Sequence, residues 1–140
     1  MFVAPTSSMP VYYAMPLTFE VDRSQGVVRS HGSGKLTSAD LLQYFADTRA
    51  DPDYEPTMHR VMDLRDVTQL PSSDEIRSLA TFARTKAPVE TARMAIIASS
   101  DLAFGVSMMF KGFVGYGERL IVVRDESEAM AWLQSGIHPA

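Results

Sequence analysis

The sequence HGSGKLT, from His31 to Thr37, lies between a predicted strand and a predicted helix, where a phosphate-binding loop would lie. A Walker A loop needs a glycine five residues before its last glycine, and a serine or threonine directly after its lysine. This chain has Arg29 at the first of these positions and Leu36 at the second. We therefore interpret Gly32 and Gly34 as a tight turn into the helix and not as a nucleotide site.

Histidine, cysteine and serine side chains form no catalytic or metal-binding motif. His31, His59 and His138 are far apart in the sequence and show no metal-ligand spacing. Cysteine is absent, so no thiol can act as a nucleophile or a metal ligand. The sequence places no histidine, cysteine or evident base beside Ser33, Ser99 or Ser100, so a hydrolase triad has no support. We expect a protein without enzymatic activity, metal or cofactor.

Polar side chains follow several of the predicted strands. In parallel sheets, ligands bind at the edge where the carboxyl ends of the strands meet. We expect these polar side chains to share that edge, which makes them candidates for binding. They are Asp63, Asp66, Ser99, Ser100 and Asp101, with Ser33 and Asp125 nearby.

The stretch LPSSDEIRSLA, from Leu70 to Ala80, predicts a helix that begins with a capping box. Ser72 precedes Glu75 by three residues, the spacing that lets each side chain bind the backbone of the other residue. Such a cap contributes about 0.5–2 kcal/mol. A helix N-terminus also favours a phosphate, but Asp74 and Glu75 would repel a second dianion there. We predict a cap, and a phosphorylation site is the alternative.

The stretch DLAFGVSMMFKGFVGY, from Asp101 to Tyr116, predicts a helix with apolar residues on more than one face. At 100° per residue, Phe104 and Met108 fall away from the predicted core face, beside Lys111 and a small-residue edge that includes Gly105 and Gly112. These residues could pack under a loop or the N-terminal segment, contact a protein partner, or line a ligand pocket. We predict a homodimer contact. The predicted core face consists of Leu102, Val106, Met109, Phe110, Phe113 and Tyr116.

The elements that must position these residues alternate along the chain as ββαβαβαβα. Apolar alternation from Leu17 and a turn at Gly26 predict an antiparallel hairpin with an edge strand. The later strands are short apolar runs, each followed by a helical pattern, which is typical of a parallel sheet. We thus predict an α/β fold with an open mixed sheet of about five strands and about four helices. The predicted helices run from Thr37 to before Pro52, from Ser73 to Lys86, over Asp101–Tyr116, and to before Gly136.

Composition sets the domain organisation and excludes several classes of function. Residues 1–16 are uncharged and are expected to be an extension, with one domain over 17–134 and a tail over 135–140. The net charge is −4 and the 13 Lys and Arg residues are scattered, so we expect no binding to nucleic acid. The sequence contains no run of 18 apolar residues, so we expect no membrane span. Without cysteines or a basic, unbroken signal sequence, we expect a cytoplasmic protein.

The order of these segments resembles the STAS superfamily, sulphate transporters and anti-sigma factor antagonists, and most closely its SpoIIAA-like bacterial branch. This resemblance implies a non-enzymatic, protein-binding module with a regulatory role. It places Ser72 over the serine that a partner kinase phosphorylates in the family's DSSG motif, with Pro71 and Asp74 in place of the aspartate and glycine. CRAL-TRIO lipid-transfer domains have related folds, so a carrier or sensor of an apolar or carboxylate, lipid-like ligand is the alternative. The resemblance rests on GKLTSADLLQYF, HRVMDLRDVT, ARMAIIASSDLAFGVSMMF and VVRDESEAMAWL.

Overall fold

The computed structural model describes residues 16–86 and 92–137. The predicted extension over residues 1–16 lies outside the described residues except for Pro16, and so does His138. Strands and helices follow the predicted order ββαβαβαβα. The strands are β1 (Leu17–Asp22), β2 (Val27–Lys35), β3 (His59–Gln69), β4 (Met94–Ile97) and β5 (Leu120–Val123). The helices are α1 (Ser38–Ala50), α2 (Ser73–Lys86), α3 (Asp101–Val114) and α4 (Glu126–Ile137), with a short 3₁₀ turn over Gly117–Arg119.

One mixed sheet organises the domain. Its strands lie in the order β1-β2-β3-β4-β5, so each strand neighbours the next one in the chain. β1 is antiparallel to β2, and the other neighbouring pairs are parallel. Gly26 adopts φ 67° at the hairpin turn, a conformation that glycine adopts without strain. The predicted mixed sheet and its antiparallel edge strand are confirmed.

Two apolar cores lie on opposite faces of the sheet. The larger core joins α1, α2 and α3 to one face, and the smaller core joins α4 to the other through Ala129 and Leu133. All four residues of β4 are buried. A strand covered by helices on both faces reads as a continuous apolar run, which explains why β4 shows no alternation in the sequence.

The prediction of a glycine turn after His31 is wrong, because β2 continues through these glycines to Lys35. Gly32 lies in the strand, where an added Cβ would stand 3.0 Å from a methyl of Val67. Gly34 adopts φ 66° beside irregularities in the β2–β3 register. These glycines therefore allow close packing and a bulged strand end.

The helix boundaries largely follow the capping signals. Thr37 and Asp40 form the predicted capping box of α1, and α2 runs over the predicted residues. The predicted end of α4 before Gly136 is wrong, because the helix continues to Ile137. A glycine near a helix end costs only about 0.5–1 kcal/mol, so it need not terminate the helix.

The buried residues of helix α3 include two small ones, which the sequence prediction missed. Ala103, Ser107 and Val114 are buried, whereas Leu102, predicted on the core face, is 64% exposed. Small side chains let a helix approach a sheet closely, and larger ones then pack along its flanks. Phe104, predicted on the far side, packs against the larger core and is half-buried. The other flanking residues in contact with this core are Val106, Met109, Phe110, Phe113 and Tyr116.

Candidate functional site

The carboxyl edge of the sheet brings together several of the predicted polar residues, and Asp63, Asp66 and Asp101 each have a basic partner there. Arg65 donates to both carboxylate oxygens of Asp63, at 2.9 and 2.7 Å, and lies 3.5 Å from Glu126. His31 and Asp66 lie 2.8 Å apart, from Nε2 to Oδ2. The hydrogen bonds from Arg65 lower the pKa of Asp63 against the opposing effect of burial.

A second ion pair occupies the part of this edge next to β5. Arg124 donates to the Asp101 carboxylate at 3.2 Å and to the Ser99 carbonyl at 2.9 Å. Its guanidinium also lies 4.2 Å from the ring centroid of Phe104. Arg124 therefore holds Asp101 and covers Phe104 at the same time.

Side chains cap the N-termini of all four helices at the carboxyl edge. The acceptor oxygens belong to Thr37, Ser72, Ser100 and Asp125, and they bind backbone N–H groups at 2.9–3.3 Å. Helix N-termini attract anions when such groups are unsatisfied. Here a side-chain oxygen of the chain occupies one such group at the start of each helix. Among the described residues, no group of three or more His, Asp or Glu is placed to hold a metal ion.

Ser72 forms the predicted capping box with Glu75. The Ser72 N–H donates to Glu75 at 2.9 Å, and the Glu75 N–H donates to the Ser72 hydroxyl oxygen at 3.3 Å. Ser38 donates to the other carboxylate oxygen of Glu75 at 3.1 Å, which links the starts of α1 and α2. Bonds from Ser72 and then Ser38 lower the pKa of Glu75. The cap is confirmed, and a phosphorylation switch at Ser72 stays a prediction.

The residues of α3 that were predicted to form a contact surface do not all lie on its exposed side. Met108 is 44% exposed and lies on one face with exposed Leu102, and a Cβ added at Gly105 or Gly112 would meet open space. Phe104 lies on the flank under Arg124 and is half-buried. Lys111 is half-buried as well. We call Leu102, Gly105, Met108 and Gly112 the outer α3 face.

A pocket at the opposite, amino edge of the sheet was not predicted from the sequence. Its volume is about 270 Å³, and it lies where β3, β4 and β5 begin. We call it the arginine pocket, because four arginines contribute to a wall that is otherwise apolar or aromatic. The lining residues are Phe45, Arg49, Tyr54, Pro56, Met58, Arg60, Ala83, Ala92, Arg93, Met94, Phe110, Tyr116 and Arg119.

Arg60 is the half-buried centre of the polar groups in this pocket. Its Nη1 donates to the Tyr44 hydroxyl at 3.0 Å and to Thr48 Oγ1 at 3.3 Å. Its Nη2 donates to Thr48 Oγ1 at 3.4 Å and to the Tyr54 hydroxyl at 3.3 Å. The guanidinium also lies 5.3–5.9 Å from the ring centroids of Tyr44, Phe45 and Tyr54.

The electrostatic environment of Arg60 keeps it charged. Burial alone would lower its pKa, but the neighbouring hydroxyls of Tyr44 and Tyr54 outweigh burial, and the net shift is upward. Tyr44 is itself fixed from the other side, because Ser30 donates to its hydroxyl at 3.2 Å. The pocket therefore presents a fixed positive charge held by neutral oxygens.

A signal for this pocket was present in the sequence. Arg60 interrupts the apolar strand segment HRVMDL, and Tyr44 and Thr48 are four residues apart on the buried face of α1. Side chains at this spacing share one helix face, so a strand cation could reach both. The contributions of Tyr54 and Arg93 depend on contacts distant in sequence.

The comparisons with known proteins bear on the fold. No protein-family model and no curated protein matches the chain. Within the described residues, the helices are too short or too polar to traverse a bilayer. Among solved structures, an uncharacterised DUF3478-family protein with a SpoIIAA-like fold from Shewanella loihica PV-4 is similar, with a TM-score of 0.58 and 17% identity over 90% of this chain and 98% of that one. The sheet, its helices and this likeness show that the chain has a SpoIIAA-like fold.

Proposed function

We propose that this chain is a non-enzymatic binding module, a carrier or sensor that holds a small ligand with an apolar body in the arginine pocket. The observation that carries this proposal is the pocket itself, about 270 Å³ in volume with a mainly apolar and aromatic wall. Binding sites for small molecules are typically concave and apolar, with a few polar groups that fix orientation.

A second cavity supports an apolar body for the ligand. This cavity, of about 50 Å³, lies within the larger core and has almost entirely apolar walls. It shares Phe45, Met94 and Phe110 with the arginine pocket. An apolar group that enters between these three side chains would remove further surface from water, at about 25 cal/mol per Å² buried.

Native mass spectrometry of the protein purified from its source cell tests this proposal. The unmodified protein should retain a small mass. Ala92→Trp, which fills the pocket from a half-buried wall position, should lose that mass, whereas Ala131→Trp on the exposed face of α4 should keep it. Absence of a small mass from the unmodified protein, or its retention in Ala92→Trp, would contradict the proposal.

A second candidate function is a protein-binding module with a regulatory role, favoured by the outer α3 face. Two of the three exposed large apolar side chains among the described residues, Leu102 and Met108, lie on this face. The partner would be a second copy of the chain. A two-fold contact buries each side chain twice, a gross gain of up to about 6–12 kcal/mol. Association costs an estimated 4–15 kcal/mol, so the dimer would be of moderate affinity at best.

Light scattering separates this second candidate from the first. Met108→Asp should convert a dimer to a folded monomer. Leu42→Asp is the control and should leave the protein dimeric, because Leu42 is an exposed apolar residue on α1, away from this face. Phe104 is a poorer test site because it contacts the larger core, so a charge there would also destabilise the fold. An unmodified protein that is monomeric at high micromolar concentration would exclude the dimer.

A further inference from the structure

We infer that the ligand of the arginine pocket carries an anionic group, a carboxylate or a phosphate ester, that binds the guanidinium of Arg60. This inference rests on the proposed function, that the pocket holds a small ligand, and adds the charge of the ligand and the residue that recognises it. Its basis is a half-buried cation whose hydrogen-bond partners among the described residues are all neutral.

The hydrogen-bond acceptors of Arg60 are neutral oxygens. Two are the phenol oxygens of Tyr44 and Tyr54, and the third is the hydroxyl of Thr48. Within residues 16–86 and 92–137, the ion pairs involve other arginines and His31, and no carboxylate lies within 4.0 Å of the Arg60 guanidinium. Charges removed from water are normally paired, so a bound anion would complete this environment.

The arginine pocket is positively charged although the chain as a whole is negative. The whole chain has a net charge of −4, so its overall field does not attract anions. Yet the described wall residues include Arg49, Arg60 and Arg93 and no acidic side chain. Arg93 is fixed in place by the Trp132 ring, 5.0 Å from its guanidinium carbon. An anion in the pocket therefore meets several positive charges at short range, where screening by salt is weak.

The donors of Arg60 can accommodate a carboxylate. Its two bonds from Nη2 measure 3.3 and 3.4 Å, longer than the usual 2.7–3.2 Å for N–H···O bonds. None of its described bonds uses Nε. Nε and Nη2 form one side of the planar guanidinium, and a carboxylate or phosphate can accept from both at once.

The helix C-termini at this edge provide a competing explanation for the positive charges. α1, α2 and α3 all end there, and a cation near a helix C-terminus gains about 0.3–1 kcal/mol without any ligand. This field accounts for an exposed arginine such as Arg49 in the last turn of α1. It does not supply acceptors for the donors of Arg60, so the two explanations differ in what they predict for anion binding.

Isothermal titration calorimetry with 3-phenylpropionate and its neutral amide, 3-phenylpropionamide, tests the inference. These probes share an apolar body and differ in charge. A hydrogen bond to a charged group contributes about 1.5–3 kcal/mol, so the acid should bind about 10- to 100-fold more tightly than the amide. Phenyl phosphate in a third titration distinguishes a phosphate site from a carboxylate site.

Two variants complete the test. Arg60→Met should weaken the acid to the affinity of the amide, and Arg77→Met should not change either affinity. Arg77 is the matched control, because its guanidinium also stacks on a ring, 4.4 Å from the Phe113 centroid, but lies outside the pocket. If Arg60→Met does not fold, the acid–amide ratio of the unmodified protein remains decisive.

The outcomes separate this inference from the proposed function. Equal affinity for acid and amide in the unmodified protein would overturn the inference and leave a neutral apolar ligand as the proposed function. An acid preference that survives in Arg60→Met would overturn the assignment to Arg60. If neither probe nor phenyl phosphate binds, the inference and the proposed pocket both fail.

Discussion

The two edges of the sheet differ in the partners of their charged side chains. At the carboxyl edge, acidic side chains bind arginine or histidine, and all four helix N-termini are capped by the chain's own oxygens. At the amino edge, the partners of Arg60 within the described part of the chain are neutral oxygens and rings. The carboxyl edge therefore pairs most of its charges within the chain, whereas the amino edge offers a charge to a ligand.

This difference qualifies a general rule about parallel sheets. Ligands usually bind at the carboxyl ends of the strands, partly because helix N-termini there attract anions. Caps such as Ser72 and Ser100 each occupy one of the N–H groups that would otherwise bind an anion here, which weakens that attraction. Location in a fold thus indicates where a site can form, and the partners of each polar group decide whether one does.

The largest expected effect on stability concerns the bulged end of β2, which shapes the carboxyl edge. Gly34→Ala should lower the free energy of unfolding by about 1–2 kcal/mol, because Gly34 adopts φ 66°. Gly112→Ala is the control, and it should stabilise α3 by about 0.5–1 kcal/mol, because an added Cβ meets open space. Urea unfolding of both variants measures this, and a neutral Gly34→Ala would show that the strand end is not strained.

The cap at Ser72 should give the next effect. Ser72→Ala should lower the free energy of unfolding by about 0.5–2 kcal/mol, because the Glu75 N–H loses its acceptor. Affinity for 3-phenylpropionate should not change, since the cap lies at the opposite edge from the pocket. Denaturant unfolding and calorimetry measure the two quantities. Phosphate on Ser72 in protein from its native host, with loss of a partner on phosphorylation, would contradict a purely structural role.

A smaller and pH-dependent effect is expected from Asp63→Asn. The pKa of Asp63 is lowered in the folded protein, so its ion pair stabilises the fold above the unfolded pKa of about 3.9 and loses this effect as the pH falls through the folded pKa. At pH 7 the variant should lose less than about 1 kcal/mol, because Arg65 is partly exposed to solvent. The difference from the unmodified protein should shrink as the pH falls below the unfolded pKa of about 3.9, and a constant difference across pH would contradict the ion-pair explanation.

The smallest effect on stability is expected at the amino edge. Arg60→Met should change the free energy of unfolding by less than about 1 kcal/mol in ligand-free protein, because it removes a charge that has no counterion among residues 16–86 and 92–137. Thr48 keeps its bonds to backbone carbonyls, and Tyr44 keeps its bond from Ser30. Thermal unfolding measures this. A loss beyond about 3 kcal/mol would show that Arg60 serves the fold and is not reserved for a ligand.

The sequence predicted the sheet topology well because its signals are local. Alternation in β1 and the Thr37–Asp40 cap need only neighbouring residues. Leu102 was misassigned to the core face of α3 because the sequence pattern weighted large side chains, whereas the small residues Ala103 and Ser107 are buried. The other residues predicted on that face pack against the larger core. Which residues of a helix are buried most deeply depends on how the helix packs against other elements. Sequence periodicity does not record that packing.

The candidate sites were predictable to different degrees. The capping role of Ser72 follows from a three-residue spacing, and the structure confirms it. The polar carboxyl edge was expected, but the partners that occupy it, such as Arg124 on Asp101, come from elements far apart in the chain. The arginine pocket combines β3 with α1 and the loop of Tyr54, so the sequence signal at Arg60 and Tyr44 covers only part of it.

Backbone amide chemical shifts during a titration with 3-phenylpropionate test the contrast between the two edges most directly. The arginine pocket predicts saturable shifts that are largest at Arg60, Arg93 and Met94, which lie at the amino edge. Amides at the carboxyl edge, such as those of Ser72 and Ser100, should move little. Shifts that are largest at the carboxyl edge or on the outer α3 face would contradict the proposed site.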